Sequence, residues 1–435
     1  MDDRQNIDLV IHGGTIITMD PEHRIIKNGM ILIRNDNILE ILDTIPENFS
    51  VEVRSELSAE GMVVLPGLIN AHSHLAMTLF RGFVEDLDLQ SWLQKVWKYE
   101  LSALDAKTVR IGSKLAMLEM IRGGITCAHD MYWHFEETMQ LAEEVGFRLL
   151  SGPPITRLGD QEFNQMFQKA RDTLKWLEGL EFVYPILQTH STYTTTPAMM
   201  DTVRDLKEEY GISFTTHASE NQAEVDSVLN MYQKTPINVL HSHGLLDEHT
   251  ILAHCVIVDQ DEIQLIKKTG TNIVHCPESN LKLGSGIAPI AAMLDEGINI
   301  CLGTDGAASN NDLDLLSELR TAVLLQKGFN HDPELLPTRQ ALEMITINGA
   351  KAYHLDSMIG SLEPGKKADI VMVDFNQPHL TPNHNEEANL IYSTTKTDVN
   401  TVIINGKIHF NNGEFTILDK DEIMSDAREV RDLFR

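Results

Sequence analysis

Positive charge is scarce in this 435-residue chain: 35 Lys and Arg stand against 64 Asp and Glu, a net charge of −29. Phosphate backbones and anionic lipid surfaces are held by clustered basic side chains. No such cluster occurs, so neither nucleic acid nor membrane is an expected partner. Long apolar runs are also missing, and the amino terminus, MDDRQNIDLVIHGG, carries acids where a secretory leader has an apolar core. A cytoplasmic location is the expectation. Cysteine is limited to Cys127, Cys255, Cys276 and Cys301, with no CxxC spacing. Each lies in or beside an apolar run, as buried thiols do, which leaves no disulfide framework or thiolate metal site to expect.

What the chain does have is 42% hydrophobic residues, enough for a large core, and one stretch that organises the rest, Leu65-Pro-Gly-Leu-Ile-Asn-Ala-His-Ser-His74. An apolar run gives way abruptly to polar residues, the pattern of a buried strand whose carboxyl end opens into a site. Residues two apart on a strand share a face, so His72 and His74 present two imidazoles to one point. With 18 histidines, chance supplies on the order of one His-x-His. A second pair, His241 and His243, lies in INVLHSHGLL, whose spacing and Gly244 mark the end of an amphipathic helix. That pair is read as solvated or capping.

Residues 7 to 64 and 367 to 416 alternate in short runs broken by Gly, Pro and Asn-Gly pairs, including Asn405-Gly406 and Asn412-Gly413. Both read as strands and hairpins, and the two ends are expected to make one sheet domain. Between them, apolar strands alternate with helical stretches. The first helix covers roughly 105 to 122, with Ile111, Leu115, Leu118 and Ile121 at helical spacing and a stop at Gly123-Gly124. After LPGLIN the strands are ITCAHDM, FRLLSGP, FVYPILQTH, ISFTTHASE, TILAHC, NIVHCP and INICLGTDG. Eight such repeats in about 300 residues predict an α/β fold of the (β/α)8 TIM-barrel type, with its site at the strands' carboxyl ends. His72, His74, His129, Asp130, His190, His217, Glu220, His254, His275, Thr304 and Asp305 all fall where a strand finishes. Core packing alone would scatter them.

Three imidazoles and a carboxylate suit one divalent ion, Zn2+ or Fe2+, with a position left for water. His72, His74, His217 and Asp305 are the expected ligands. A second metal in such barrels needs a bridging group, commonly a carboxylated lysine on the fourth strand, and FVYPILQTHSTYT contains none. Asp305 is placed to accept the proton of the attacking water, Glu220 to shuttle a proton over the substrate, and His254 to hydrogen-bond the water or the developing anion.

With LPGLINAHSHLAMTLFRG, TTHASE, AHC, CPESNLKLGSGIAPI, LGTDGAASNND and GSLEPGKKADIVMVD in this order, the chain resembles the amidohydrolase superfamily from about residue 7 to 415. Within it the chain is similar to the branch of 5-methylthioadenosine/S-adenosylhomocysteine deaminases and related chlorohydrolases. The resemblance implies a barrel (64–365) with a composite β-sandwich built from both termini (1–63 and 366–435, the latter ending in a helix), one divalent metal, and hydrolytic deamination. It also implies that Glu100 holds ribose hydroxyls and that His190 contacts the substrate. Arg148 and Arg157 are the candidates for the arginines that bind the nucleoside tail in that branch. Ser191-Thr192 stands where the family usually has Ala-Pro, a departure expected at the substrate wall.

The expected activity is attack of an activated water on C6 of an adenine-type ring, on 5-methylthioadenosine, S-adenosylhomocysteine or adenosine, by an enzyme that self-associates. The alternatives are an aminohydrolase of another heterocycle (a pterin, oxidised guanine or an s-triazine) and a non-catalytic metal-binding scaffold. Glu100 argues against a free base, which has no ribose to hold. A scaffold has no use for Glu220 and His254 beside four ligands.

Overall fold

The structure, a computed structural model, describes residues 7–46, 53–158, 162–177 and 179–431. Strands from both ends of the chain pair as expected. Ile370–Asp374 runs antiparallel to Met62–Pro66, and the seven-stranded sheet around them takes in Thr15–Ile17, Ile25–Lys27, Val399–Ile404, Lys407–Asn411 and Glu414–Phe415. A second sheet holds Ile7–His12, Met30–Arg34, Asn37–Leu42 and Val53–Ser58. Both Asn-Gly pairs form hairpin turns with positive φ, +52° and +74° at Asn405-Gly406 and +50° and +91° at Asn412-Gly413, the primed geometry that matches strand twist. Alternation along Ile370–Asp374 sends Ile370 and Met372 into a core shared with Leu9, Ile11, Ile31 and Ile33 of the second sheet. Val371 and Val373 face the other way, into the main core of the chain.

Two parts of the expected domain division differ. The run MVVLP belongs to the terminal sheet, so the crossover comes at Gly67, after Pro66, and a boundary at 63 would cut a strand. One continuous apolar run hides a change of sheet. The helix Lys420–Val430 packs on the helix Ala106–Arg122, and its Val430 joins Phe80, Trp92 and Leu93 in one apolar cluster away from the terminal sheets.

The central region carries parallel strands in each of the eight expected segments. Asp305–Gly306, Leu68–His74, Ile125–Asp130, Arg148–Ser151 and Val183–Pro185 form one sheet. Pro154–Ile155, Leu187–Ser191, Phe214–Ala218, Thr250–His254, Asn272–His275 and Ile300–Leu302 form the other. The chain passes from one sheet to the other within 148–155, 183–191 and 300–306. Asn70 ties the first segment to the last: its Nδ2 donates to Thr304 Oγ1 at 2.7 Å and its Oδ1 accepts from Thr304 N–H at 3.0 Å. The helix Ala106–Arg122 begins at Asp105, whose capping box with Thr108 satisfies two orphan N–H groups, and ends at Gly123 and Gly124. All four cysteines are buried, and burial pushes the Cys127 and Cys301 thiols up to about 12. Among the described residues no helix is long and apolar enough to cross a membrane.

Candidate active site

His72 and His74 end the strand Leu68–His74, His217 lies near the end of Phe214–Ala218, and Asp305 opens Asp305–Gly306. Their donor atoms converge. His217 Nε2 is 3.1 Å from His72 Nε2 and 3.4 Å from His74 Nε2, while Asp305 Oδ1 lies 3.2 Å from His74 Nε2 and 3.8 Å from His72 Nε2. Four donors at roughly 2.0–2.2 Å from one tetrahedral ion stand about 3.3–3.5 Å apart, so the spacing fits a single divalent ion. His74 Nδ1 donates to the Met131 carbonyl and His217 Nδ1 to the His190 carbonyl, each at 2.5 Å, which turns both Nε2 atoms inward. Against burial, the hydrogen bond and charge of Asp305 raise His74 to about 9, so its Nε2 carries a proton that a bound ion would displace. Burial, reinforced by the neighbouring imidazoles, holds His72 and His217 well below the usual histidine range, neutral as ligands must be.

Asp305 accepts the Ser279 hydroxyl on Oδ2 at 2.6 Å and its neighbour Gly306 N–H on Oδ1 at 2.8 Å. Burial alone would raise its carboxyl; the hydrogen bond and charge of His74, with the fields of His254 and His72, outweigh that and hold it well below the usual range. Backbone strain helps aim these groups. Asp305, His254 and Ser219 have φ of +58°, +75° and +53°, left-handed values that non-glycine residues seldom adopt outside functional sites.

Glu220 follows that kink. Its N–H donates to Glu224 Oε2 at 2.7 Å, and Asn221 then caps the helix Gln222–Tyr232. Its carboxyl lies 3.9 Å from His254 Nε2, and burial, then the charge of Asp305, push its pKa up to about 8. Glu220 is thus a proton donor at neutral pH. His254 Nδ1 donates to Asn280 Oδ1 at 2.8 Å, leaving Nε2 as an acceptor, and burial keeps the ring neutral.

His74, His217, Asp305, Glu220 and His254 line one pocket together with Glu100 and His190. The hydroxyl of Tyr132 donates to Glu100 Oε1 at 2.7 Å and Trp133 Nε1 to Oε2 at 3.2 Å, while burial raises the carboxyl. His190 sits edge-on to Trp97, its Nδ1 3.1 Å from Thr194 Oγ1, and burial, then the charge of His74, take it down to about 3.

A model of the amidohydrolase family matches residues 63–409. The chain belongs to the amidohydrolase family. It is 40% identical to the 5-methylthioadenosine/S-adenosylhomocysteine deaminase of Moorella thermoacetica, over 92% of this chain and 94% of that one. It is 37% identical to a 5'-deoxyadenosine deaminase of Methanosarcina acetivorans, over 97% of each chain. The solved structure of an adenosine deaminase from Xanthomonas campestris with bound zinc superposes with a TM-score of 0.97 at 32% identity, covering 99% of each chain. The family is metal-dependent, and the convergent imidazoles of His72, His74 and His217 are where this member can hold a metal.

Other expectations change. Arg148 stands at the amino end of its strand, away from the pocket, with its guanidinium on Asp369 (2.6 and 3.0 Å), Asn405 (2.7 Å) and Tyr184 (3.2 Å). It joins the central sheet to the terminal one. Arg157 is exposed and donates to the Tyr193 carbonyl at 2.7 Å, while its neighbours Thr156 and Leu158 line the pocket. Neither arginine reaches substrate space. Ser191 and Thr192 also lie off the wall, where Ser191 caps a short turn through Thr194. His129 bonds Gln188 behind His72, and His275 is buried with no partner for either ring nitrogen among the described residues. Successive side chains on a strand point to opposite faces, so only part of the polar series faces the pocket. His243 ends its helix and pairs with Asp201 at 2.8 Å, a capping residue as expected.

Ser279 and Asn280 anchor Asp305 and His254, and Glu224 stands behind Glu220, three residues that strand-end spacing alone does not single out. The signal for the first two lay in CPESN, polar residues directly after a strand. Strand-end spacing also passes over Trp92 and Trp97 of the helix Leu89–Ala103, which roof the pocket.

Proposed function

We propose that this protein is a hydrolytic deaminase of adenine nucleosides, converting 5-methylthioadenosine, S-adenosylhomocysteine or adenosine to the inosine-type product and ammonia. The observation that carries the reading is Glu220, a buried carboxyl whose pKa burial pushes up to about 8, in one pocket with Glu100, His74, His217 and Asp305, the last three converging with His72. The full-length likeness to deaminases of such nucleosides supports it.

In this reading His72, His74, His217 and Asp305 hold one ion, Zn2+ in preference to Fe2+, and such an ion when bound supplies a water with its pKa lowered to about 7. Asp305 receives a proton from the water that attacks C6, and His254 Nε2 accepts a hydrogen bond from it. Glu220 donates its proton to ring N1, which neutralises charge that would otherwise build on the purine. Asp305 then passes its proton to the leaving amine, ammonia departs, and the remaining hydroxyl proton returns to Glu220. Glu100, held by Tyr132 and Trp133, accepts from the ribose hydroxyls, and His190 contacts the nucleoside. The two parallel sheets are read as one (β/α)8 barrel interrupted at the three shared segments, a reading the Asn70 to Thr304 latch supports. The terminal sheets are read as a composite β-sandwich over their common core, with the domain border at Gly67 and the second sandwich portion beginning at 366. Self-association in the cytoplasm belongs to the same reading, and sedimentation of the purified protein measures the former.

Ammonia release from metal-replete protein tests the function against 5-methylthioadenosine, S-adenosylhomocysteine, adenosine, adenine, guanine, 8-oxoguanine, a pterin and melamine. Turnover confined to adenine nucleosides is expected. Turnover of a free base in their place overturns the nucleoside assignment and leaves a ring aminohydrolase.

A further inference from the structure

We infer that the pocket selects adenine nucleosides whose 5′ substituent is uncharged, and rejects those whose tail carries a carboxylate; the inference rests on the proposed nucleoside deamination. Both tail classes occur among substrates named for its relatives, so the choice is open for this chain.

The lining of the pocket offers the same groups to any pose of the nucleoside. The polar groups that face the pocket fall into two sets already in use: the metal cluster with Glu220 and His254, and the Glu100 and His190 pair. The rest of the lining is apolar apart from Thr156 and the hydroxyl and indole N–H groups of aromatic side chains, and Tyr132 and Trp133 spend theirs on Glu100. No arginine or lysine lines the pocket among the described residues. The nearest cation in sequence is Arg157. Between the inward Thr156 and Leu158 it turns outward, and its guanidinium is engaged by the Tyr193 carbonyl.

A methylthio group or a 5′ hydrogen buries apolar surface against such a wall. An amino-acid tail must strip water from a carboxylate and receives no charged partner in return, while Glu100 faces the same space. An ionised group buried without a partner is disfavoured far more than an extra methylene. The expected discrimination is at least about 100-fold in kcat/KM, carried mainly by KM.

The test uses the metal-replete full chain and four substrates: 5'-deoxyadenosine, 5-methylthioadenosine, S-adenosylhomocysteine, and an adenosine with an uncharged 5′-butylthio tail. The first two are expected to react comparably, the butylthio compound within about tenfold of them, and S-adenosylhomocysteine at least about 100-fold more slowly. A kcat/KM for S-adenosylhomocysteine within about tenfold of that for 5-methylthioadenosine overturns the inference and leaves the deaminase reading intact. Equal loss with the butylthio and amino-acid tails overturns it too, because length and not charge would then set the limit. Failure of all four would overturn the functional reading and this inference with it.

Discussion

Glu220→Gln isolates the proton that the proposed chemistry needs. The carboxyl is buried and its pKa stands near 8 against an ordinary 4.5, so at neutral pH the substitution exchanges one neutral group for another of nearly the same shape. Glu220 is not among the converging metal donors. Metal content is therefore expected to stay at the wild-type level, and folding at neutral pH to change little. What the variant lacks is a transferable proton beside the ring nitrogen, which contributes about 100- to 10,000-fold, and kcat is expected to fall by that factor. The pH dependence supplies a second readout. Wild-type activity requires the protonated carboxyl and should decline as pH rises through about 8, whereas the residual activity of the variant should lack that limb. Stability follows the same sign. The folded-state pKa is raised, so the stabilising contribution of the proton is fully present below the unfolded value of 4.5 and is lost as pH rises through about 8. Between these values the wild type should lose thermal stability relative to the variant, and the difference should level off above about 8. The assays are ammonia release across the neutral to alkaline range, metal analysis by emission spectroscopy and thermal denaturation. A variant with near wild-type kcat and an unchanged alkaline limb would refute the reasoning.

Removing metal with a chelator should abolish turnover and Zn2+ should restore it at one ion per chain, with His217→Ala unable to recover; activity in the metal-free protein would contradict the site. Asn280→Leu removes the acceptor that orients His254, and kcat should fall about 10- to 100-fold with KM unchanged, measured by steady-state kinetics. Arg148→Met breaks the buried pair with Asp369 and should destabilise the fold by about 3–5 kcal/mol in denaturant titration, with kcat/KM of the folded protein unaltered. A changed KM at wild-type stability would return Arg148 to the substrate.

Much of the site was legible because it is encoded as spacing. His72 and His74 are two apart on one strand, His217 lies near the end of a second and Asp305 just beyond the strand Ile300–Leu302, so the period of a β-strand and the rule for strand ends brought four candidate ligands together before any coordinates. The terminal sheet was legible through its Asn-Gly turns, which permit few backbone conformations. Arg148 misled for a matching reason. It lies close in sequence to a pocket wall but opens its strand at the amino end, and linear proximity does not say which end of a parallel sheet a residue occupies. Ser191 and Thr192 misled similarly, because a departure from a family pattern carries no direction, and here the side chains turn into a capping interaction.

The sequence by itself determined the order of strands and helices and singled out the candidate ligands and the candidate acid Glu220, since these follow from local periodicity and from the chemistry of side chains at fixed spacing. Only the tertiary structure decided which strand-end groups face the pocket, that Asn280 and Ser279 aim His254 and Asp305, and that Arg148 joins two sheets. It also decided that Glu220 is buried and that, among the described residues, no arginine or lysine lines the pocket. Those properties depend on distances between residues far apart in the chain and on the water excluded between them, and neither quantity is written in any local stretch.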